Sequence, residues 1–148
     1  MITDAMFVRI VIQLVIASAL GFAIGLEREH RRKAAGMRTF ALVSLGAALF
    51  TIISVDGFRT LALESAYDPS RIAANIVVGI GFLGAGLIFL QGNNVQGLTT
   101  AAALWVTAAI GMAVGMQMYS IAFVVALLTL CIMWLFRFIE AYVPRAND

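Results

Sequence analysis

Between Ile72 and Phe136 the sequence contains no Asp, Glu, Lys, Arg or His, sixty-five consecutive residues of a 148-residue chain. A soluble domain of that size would lack charge over most of its exterior, whereas a chain solvated by lipid needs none there. Cysteine is nearly absent too: Cys131 alone excludes an intrachain disulfide and any Cys-based zinc site, and its apolar surroundings make it inert. The N-terminus lacks the basic segment of a secretory signal, and the apolar stretch after it has membrane-spanning length, so it is expected to stay as a helix. There is no polar stretch long enough to fold as a separate aqueous domain, and no internal repeat. Residues 1–148 therefore read as a single transmembrane domain.

What is present agrees. Apolar residues make up 62%, charged residues 12%, and the mean hydropathy is +0.98, far from the profile of soluble domains. A membrane-spanning helix needs about 20 mainly apolar residues. Five segments qualify, roughly 7–26, 39–55, 72–90, 98–115 and 119–139, which predicts an all-α, polytopic membrane protein. The turn at Met116 to Met118 is its weakest boundary, where one long tilted hairpin and two separate spans are hard to tell apart. Arg28, Arg31, Arg32, Lys33, Arg38, Arg137 and Arg145 fall on one side, and Arg9, Arg59 and Arg71 on the other. By the positive-inside rule the N-terminus is outside and the C-terminus cytoplasmic.

Residues 25–39, GLEREHRRKAAGMRT, hold seven of the eighteen Asp, Glu, Lys and Arg residues and the sole histidine. Glu27 with Arg31 and Glu29 with Lys33 are favourable i,i+4 pairs if the first helix continues past the membrane. One reading is a solvated helix end on anionic headgroups, each basic residue contributing about 1 kcal/mol. The sharper reading has Glu27 and Arg38, both partly desolvated where two helices re-enter lipid, pin those helices together. His30, among so many cations, reads as a surface residue.

Asp68 precedes Pro69 and Ser70, an arrangement suited to capping the third helix. Arg71 and Asn75 lie one turn apart on a common face and would act as helix glue or an ion path. The third span then carries Gly79, Gly81, Gly84 and Gly86; Gly21 with Gly25, and Gly111 with Gly115, repeat the GxxxG spacing elsewhere. Each glycine costs up to about 1 kcal/mol relative to Ala in a soluble helix. Close helix packing is the expected reason, ahead of an unwound ion-coordinating segment. The uncharged stretch from Gln91 to Thr100 is a turn in which Thr99 caps the fourth helix, with Thr100 beside it; a short re-entrant loop lined by amides is the alternative. Trp105 and Thr107 are expected further inside, where an indole N–H needs a partner.

The stretches GLERE, AGMRTFALVSLGAALF, DPSRIAANIVVGIGFLGAG and GLTTAAALWVTAAIGMAVG, in that order from about Gly25 to Gly115, resemble the membrane domain of the MgtC/SapB family. The resemblance implies a five-span inner-membrane protein with its N-terminus outside. Glu27, Arg28, Gly36, Arg38, Thr39, Asp68, Arg71, Gly81, Gly84, Gly86, Thr99, Thr100 and Trp105 fall at the recurring motif positions. Asn75 stands where Gln is more usual and Met37 where Leu is. Many members continue into a soluble ACT-like domain, which is not expected in this chain ending at Asp148. The resemblance further implies a role in adaptation to low magnesium, acid stress or virulence, with ATP synthase as a membrane partner for some members.

The residues themselves give no sign of magnesium transport. Magnesium favours carboxylate ligands, and the last three spans have none, while Asp56, Asp68 and Glu27 sit only at span ends. No metal site and no cofactor is expected. Nor is an enzyme: there is no membrane-embedded Ser/His pair, HExxH motif or paired carboxylate. The leading expectation is a non-enzymatic membrane protein that acts through helix contacts, as a homo-oligomer in the lipid bilayer and with a membrane partner, and without nucleic acid. The alternative is an oligomeric ion transporter or channel for Mg2+ or protons.

Overall fold

The computed structural model describes residues 3–57 and 68–142. Five α-helices carry the chain: α1 (Asp4–His30), α2 (Met37–Ile52), α3 (Ser70–Ala85), α4 (Leu98–Gly115) and α5 (Tyr119–Tyr142). A π-helical turn, Ile53–Gly57, prolongs α2, and a short hairpin, β1 (Phe89–Gln91) with β2 (Asn94–Gln96), joins α3 to α4. Arg59 and Arg145, counted in the charge asymmetry, lie outside the described residues.

The bundle has the side-chain distribution that lipid allows and water does not. Along α1 the buried stripe is Gln13, Ala17, Gly21, Ile24, Gly25 and Arg28, while Phe7, Val11, Val15, Phe22 and Leu26 face outward. Small residues turn inward because lipid supplies no hydrophobic drive to bury large ones, so packing distance decides the interface. α5 shows the same bias, with Ala122 and Ala126 inside and Phe123, Leu127, Trp134 and Phe138 outside. α1, α2 extended by its π turn, α4 and α5 are long and apolar enough to cross a membrane. α3 is shorter, with 16 residues giving about 24 Å of rise.

Glycines set the geometry of the core. A Cβ on Gly21 would lie 2.5 Å from the Phe40 carbonyl oxygen, and one on Gly25 2.7 Å from Met37 Cα, so α1 and α2 touch backbone to backbone as an antiparallel pair. A Cβ on Gly111 would lie 2.2 Å from the Ser44 carbonyl oxygen and one on Gly115 2.8 Å from that of Ala48, which sets α4 parallel to α2. α4 thus sits at the centre, against the other four helices. Successive helices alternate in direction, and the two ends of the described chain lie at opposite ends of the bundle.

One boundary differs from the expectation. The third span was expected to reach residue 90, but its helix ends at Ala85 and the chain turns into the hairpin. Of the hairpin's two turn residues only Gly92 takes a positive φ (62°), as a type II′ turn requires of its first position. At Gly97 φ is 90° and a Cβ would fall 1.9 Å from the Leu87 carbonyl oxygen, so no other residue fits where the hairpin closes. The Met116–Met118 turn separates two helices. Gln117 is left-handed (φ 63°), its N–H bonds Val114 O and that of Met118 bonds Ala113 O, the paired contacts of a Schellman ending. α1 ends the same way at Arg32 (φ 53°), with Lys33 N–H on Arg28 O.

Candidate functional site

The polar residues fall into three groups. The first is the α1–α2 turn. Arg28 is buried and ion-paired with Glu27, which also takes Arg31 at 3.4 Å. Glu27 therefore pairs within its own helix, and the expected Glu27–Arg38 link between helices does not form. The inter-helix tie is made by Glu29 instead: its Oε2 accepts the Met37 N–H at 3.0 Å, at the otherwise uncapped start of α2. A side chain on Gly36 would collide with that carboxylate, its Cβ coming 2.5 Å from Oε2.

The second group lies inside the bundle and, Thr107 apart, was not foreseen. Gln13, fully buried, donates through Nε2 to the carbonyls of Val114 and Gly115 at 3.0 and 2.9 Å, capping the end of α4 from across the bundle. One helix end further out, Arg9 pairs with Asp56 at 2.6 Å and fastens α1 to the π turn. Thr51 and Thr107 donate to carbonyls four residues back in their own helices, the ordinary refuge of a buried hydroxyl. A glutamine isolated among apolar residues in α1 was the available signal, since an amide at that depth must find backbone partners.

The third group is at α3. Asp68 Oδ1 accepts the Ser70 N–H at 3.0 Å and the Ser70 hydroxyl, so the carboxylate caps the helix from just outside Pro69. Those two bonds, the hydroxyl first, with Arg71 at 3.5 Å, hold the Asp68 carboxyl below its ordinary value against a small opposing effect of desolvation. Arg71 is exposed and turned to Asp68. Asn75, one turn on, faces a different surface: a cleft of about 850 Å3 between α2 and α3, floored by Ala108 of α4. Arg38 and Thr39 stand at its other end.

Several residues singled out from the sequence are placed otherwise than expected. Thr99 lies inside α4, whose cap is Gly97 without a side-chain bond. Thr100 is buried beside it. Trp105 is half exposed on the outer surface, because the inward face of α4 runs through Leu104, Thr107, Ala108 and Gly111. Of the glycines, Gly21, Gly25, Gly111 and Gly115 make the helix contacts, and Gly84 approaches Ala101 with room to spare at 3.7 Å. Gly86 ends α3, and Gly79 and Gly81 meet nothing within 4 Å. Among the described residues no three His, Cys, Asp or Glu side chains come together as a metal site.

The MgtC family model matches residues 14–142, nearly the whole bundle. The chain belongs to the MgtC family. It is 47% identical over 129 residues to "Putative magnesium transporter YhiD" of Escherichia coli K12, covering 86% of this chain and 60% of that one. It is 46% identical over 121 residues to Protein MgtC of Salmonella typhimurium LT2, covering 82% and 49%, and 45% identical to Protein MgtC of Brucella abortus, covering 82% and 48%. The chain thus spans about half to three-fifths of these relatives. No solved structure matches it. Four helices long and apolar enough to cross a membrane and the family membership together make this a multi-pass membrane protein.

Proposed function

We propose that this MgtC-family chain is a non-enzymatic protein of the bacterial inner membrane that serves adaptation to low magnesium, acid stress or virulence by contacts with copies of itself and with a membrane partner such as ATP synthase. The N-terminus is outside and the C-terminus cytoplasmic in this reading, following the basic turn at Arg28 to Arg38. The observation that carries it is the outward face of α3. Val78 and Phe82 are 74% and 82% exposed there, and Ala74, Gly81 and Ala85 are exposed as well. Small residues at i and i+4, here Gly81 and Ala85, let a second helix approach closely.

Gly81→Leu fills this face without touching the chain's own core, whereas a leucine at Gly84 would also press on Ala101. Self-association in detergent, followed by crosslinking and light scattering, is expected to fall in Gly81→Leu. Unchanged oligomer size would refute this contact. The second reading, ion movement through an oligomer, draws on the magnesium transport in the YhiD name and on Asn75, an amide exposed on the apolar helix α3. Liposomes holding the protein, with Arg38→Ala and Arg71→Ala alongside, decide between them. Mg2+ or proton flux abolished by either substitution would overturn the contact reading, and tight vesicles with folded protein would support it.

A further inference from the structure

The α2–α3 cleft has the form of a site for one phospholipid, and we infer that it binds an anionic phospholipid, with the phosphate at Arg38 and one acyl chain along the cleft. Its walls are apolar, with Leu42 and Phe50 on α2 and Ile76 and Leu83 on α3. Gly46 of α2 and Gly79 of α3 both line it, and a Cβ on either would meet nothing among the described residues within 4 Å, so neither obstructs the trough. Polar groups are confined to the ends.

Charge selects the occupant. Arg38 has no ion pair or hydrogen bond from its side chain among the described residues, and Thr39 offers a hydroxyl beside it. Arg32 and Lys33, exposed in the adjoining turn, add to the positive field, while the neighbouring Glu29 carboxylate is engaged with the Met37 N–H. A guanidinium at the mouth of an apolar trough fits a phosphate, which it holds through two parallel hydrogen bonds. Length agrees with a lipid. From Arg38 to Phe50 is twelve residues, roughly 18 Å of helix rise, which is little more than half of the roughly 30 Å hydrocarbon core. A trough of that depth matches an acyl chain from one leaflet.

This site is separate from the outward face of α3 that carries the self-association reading, so the two succeed or fail independently. The test is to reconstitute the full chain in vesicles of equal phosphatidylglycerol and phosphatidylcholine, extract it in mild detergent, and count retained lipid by native mass spectrometry. The expected result is one phosphatidylglycerol per chain. Arg38→Gln, at an exposed position, is expected to weaken retention of phosphatidylglycerol about tenfold or more, the value of one charge-assisted contact. Gly46→Leu with Gly79→Leu, which fills the trough, is expected to abolish retention of both lipids, with helicity checked by circular dichroism. Asn75→Leu is expected to leave retention unchanged. Wild-type retention in Arg38→Gln would overturn the inference. So would loss in Asn75→Leu alone, which would place the headgroup at the opposite end, or a glycine double variant that becomes monomeric with its lipid count intact. Should the double variant not fold, Arg38→Gln decides alone.

Discussion

Alanine at Gly111 and alanine at Gly46 are the same chemical change in the interior of two apolar helices, and the structure gives them opposite signs. In water-soluble helices Gly→Ala gains up to about 1 kcal/mol from propensity. At Gly46 the new methyl meets nothing within 4 Å, so that gain is retained. At Gly111 it would lie 2.2 Å from Ser44 O, 2.9 Å from Ser44 C and 3.0 Å from Ser44 Cα. All three are backbone atoms of α2, which cannot rotate away. Ordinary contact begins at 3.4 Å, so the helices must part by about 3.4 − 2.2 = 1.2 Å along that direction. Overpacking costs about 1–3 kcal/mol, and a gap of 0.5–1 Å elsewhere in the interface forfeits roughly a quarter to a half of each contact's attraction. After the propensity gain, Gly111→Ala is expected to lose about 2 kcal/mol and Gly46→Ala to gain up to about 1 kcal/mol. The difference of about 3 kcal/mol is roughly a hundredfold in the unfolding equilibrium. Reversible unfolding in mixed micelles of rising SDS fraction, followed by circular dichroism, measures it. Equal shifts of the same sign would refute backbone contact between α2 and α4 at this point.

Gln13→Leu keeps the volume and removes two hydrogen bonds to the end of α4; at roughly 0.6 kcal/mol per bond in a membrane interior, a loss of about 1 kcal/mol is expected in the same assay, and no loss would mean that the amide does not cap α4. Asp68 gives a pH dependence. Its carboxyl lies below its ordinary value when folded, so its stabilisation is present at neutral pH and is lost as pH falls through that lowered value. The unfolding midpoints of wild type and Asp68→Asn are expected to differ at neutral pH and to converge in acid, and a constant gap would rule out the Asp68–Ser70 cap as its source.

Much of this protein is legible in its residues because lipid as a solvent imposes so few solutions. Sixty-five residues without charge, together with two apolar segments ahead of them and the polar turns between, determine membrane insertion, the all-α class and the number of helices. The pairing of Glu27 with Arg31, the cap at Asp68 and the resemblance to the MgtC family are equally local, resting on i to i+4 spacing or on order along the chain. Other features required the third dimension. GxxxG spacing marks Gly111 and Gly115 as able to accept a close neighbour, but the same richness in glycine marks Gly79 and Gly81, which have none among the described residues. Periodicity tells which residues share a face of a helix; in water, hydrophobicity then tells which face is buried. In lipid that second rule is lost, since the outside is as apolar as the inside. Only the tertiary structure could therefore place α4 at the centre, turn Trp105 outward, bring Gln13 to the end of α4, and leave Arg38 unpaired among the described residues at the mouth of the cleft between α2 and α3.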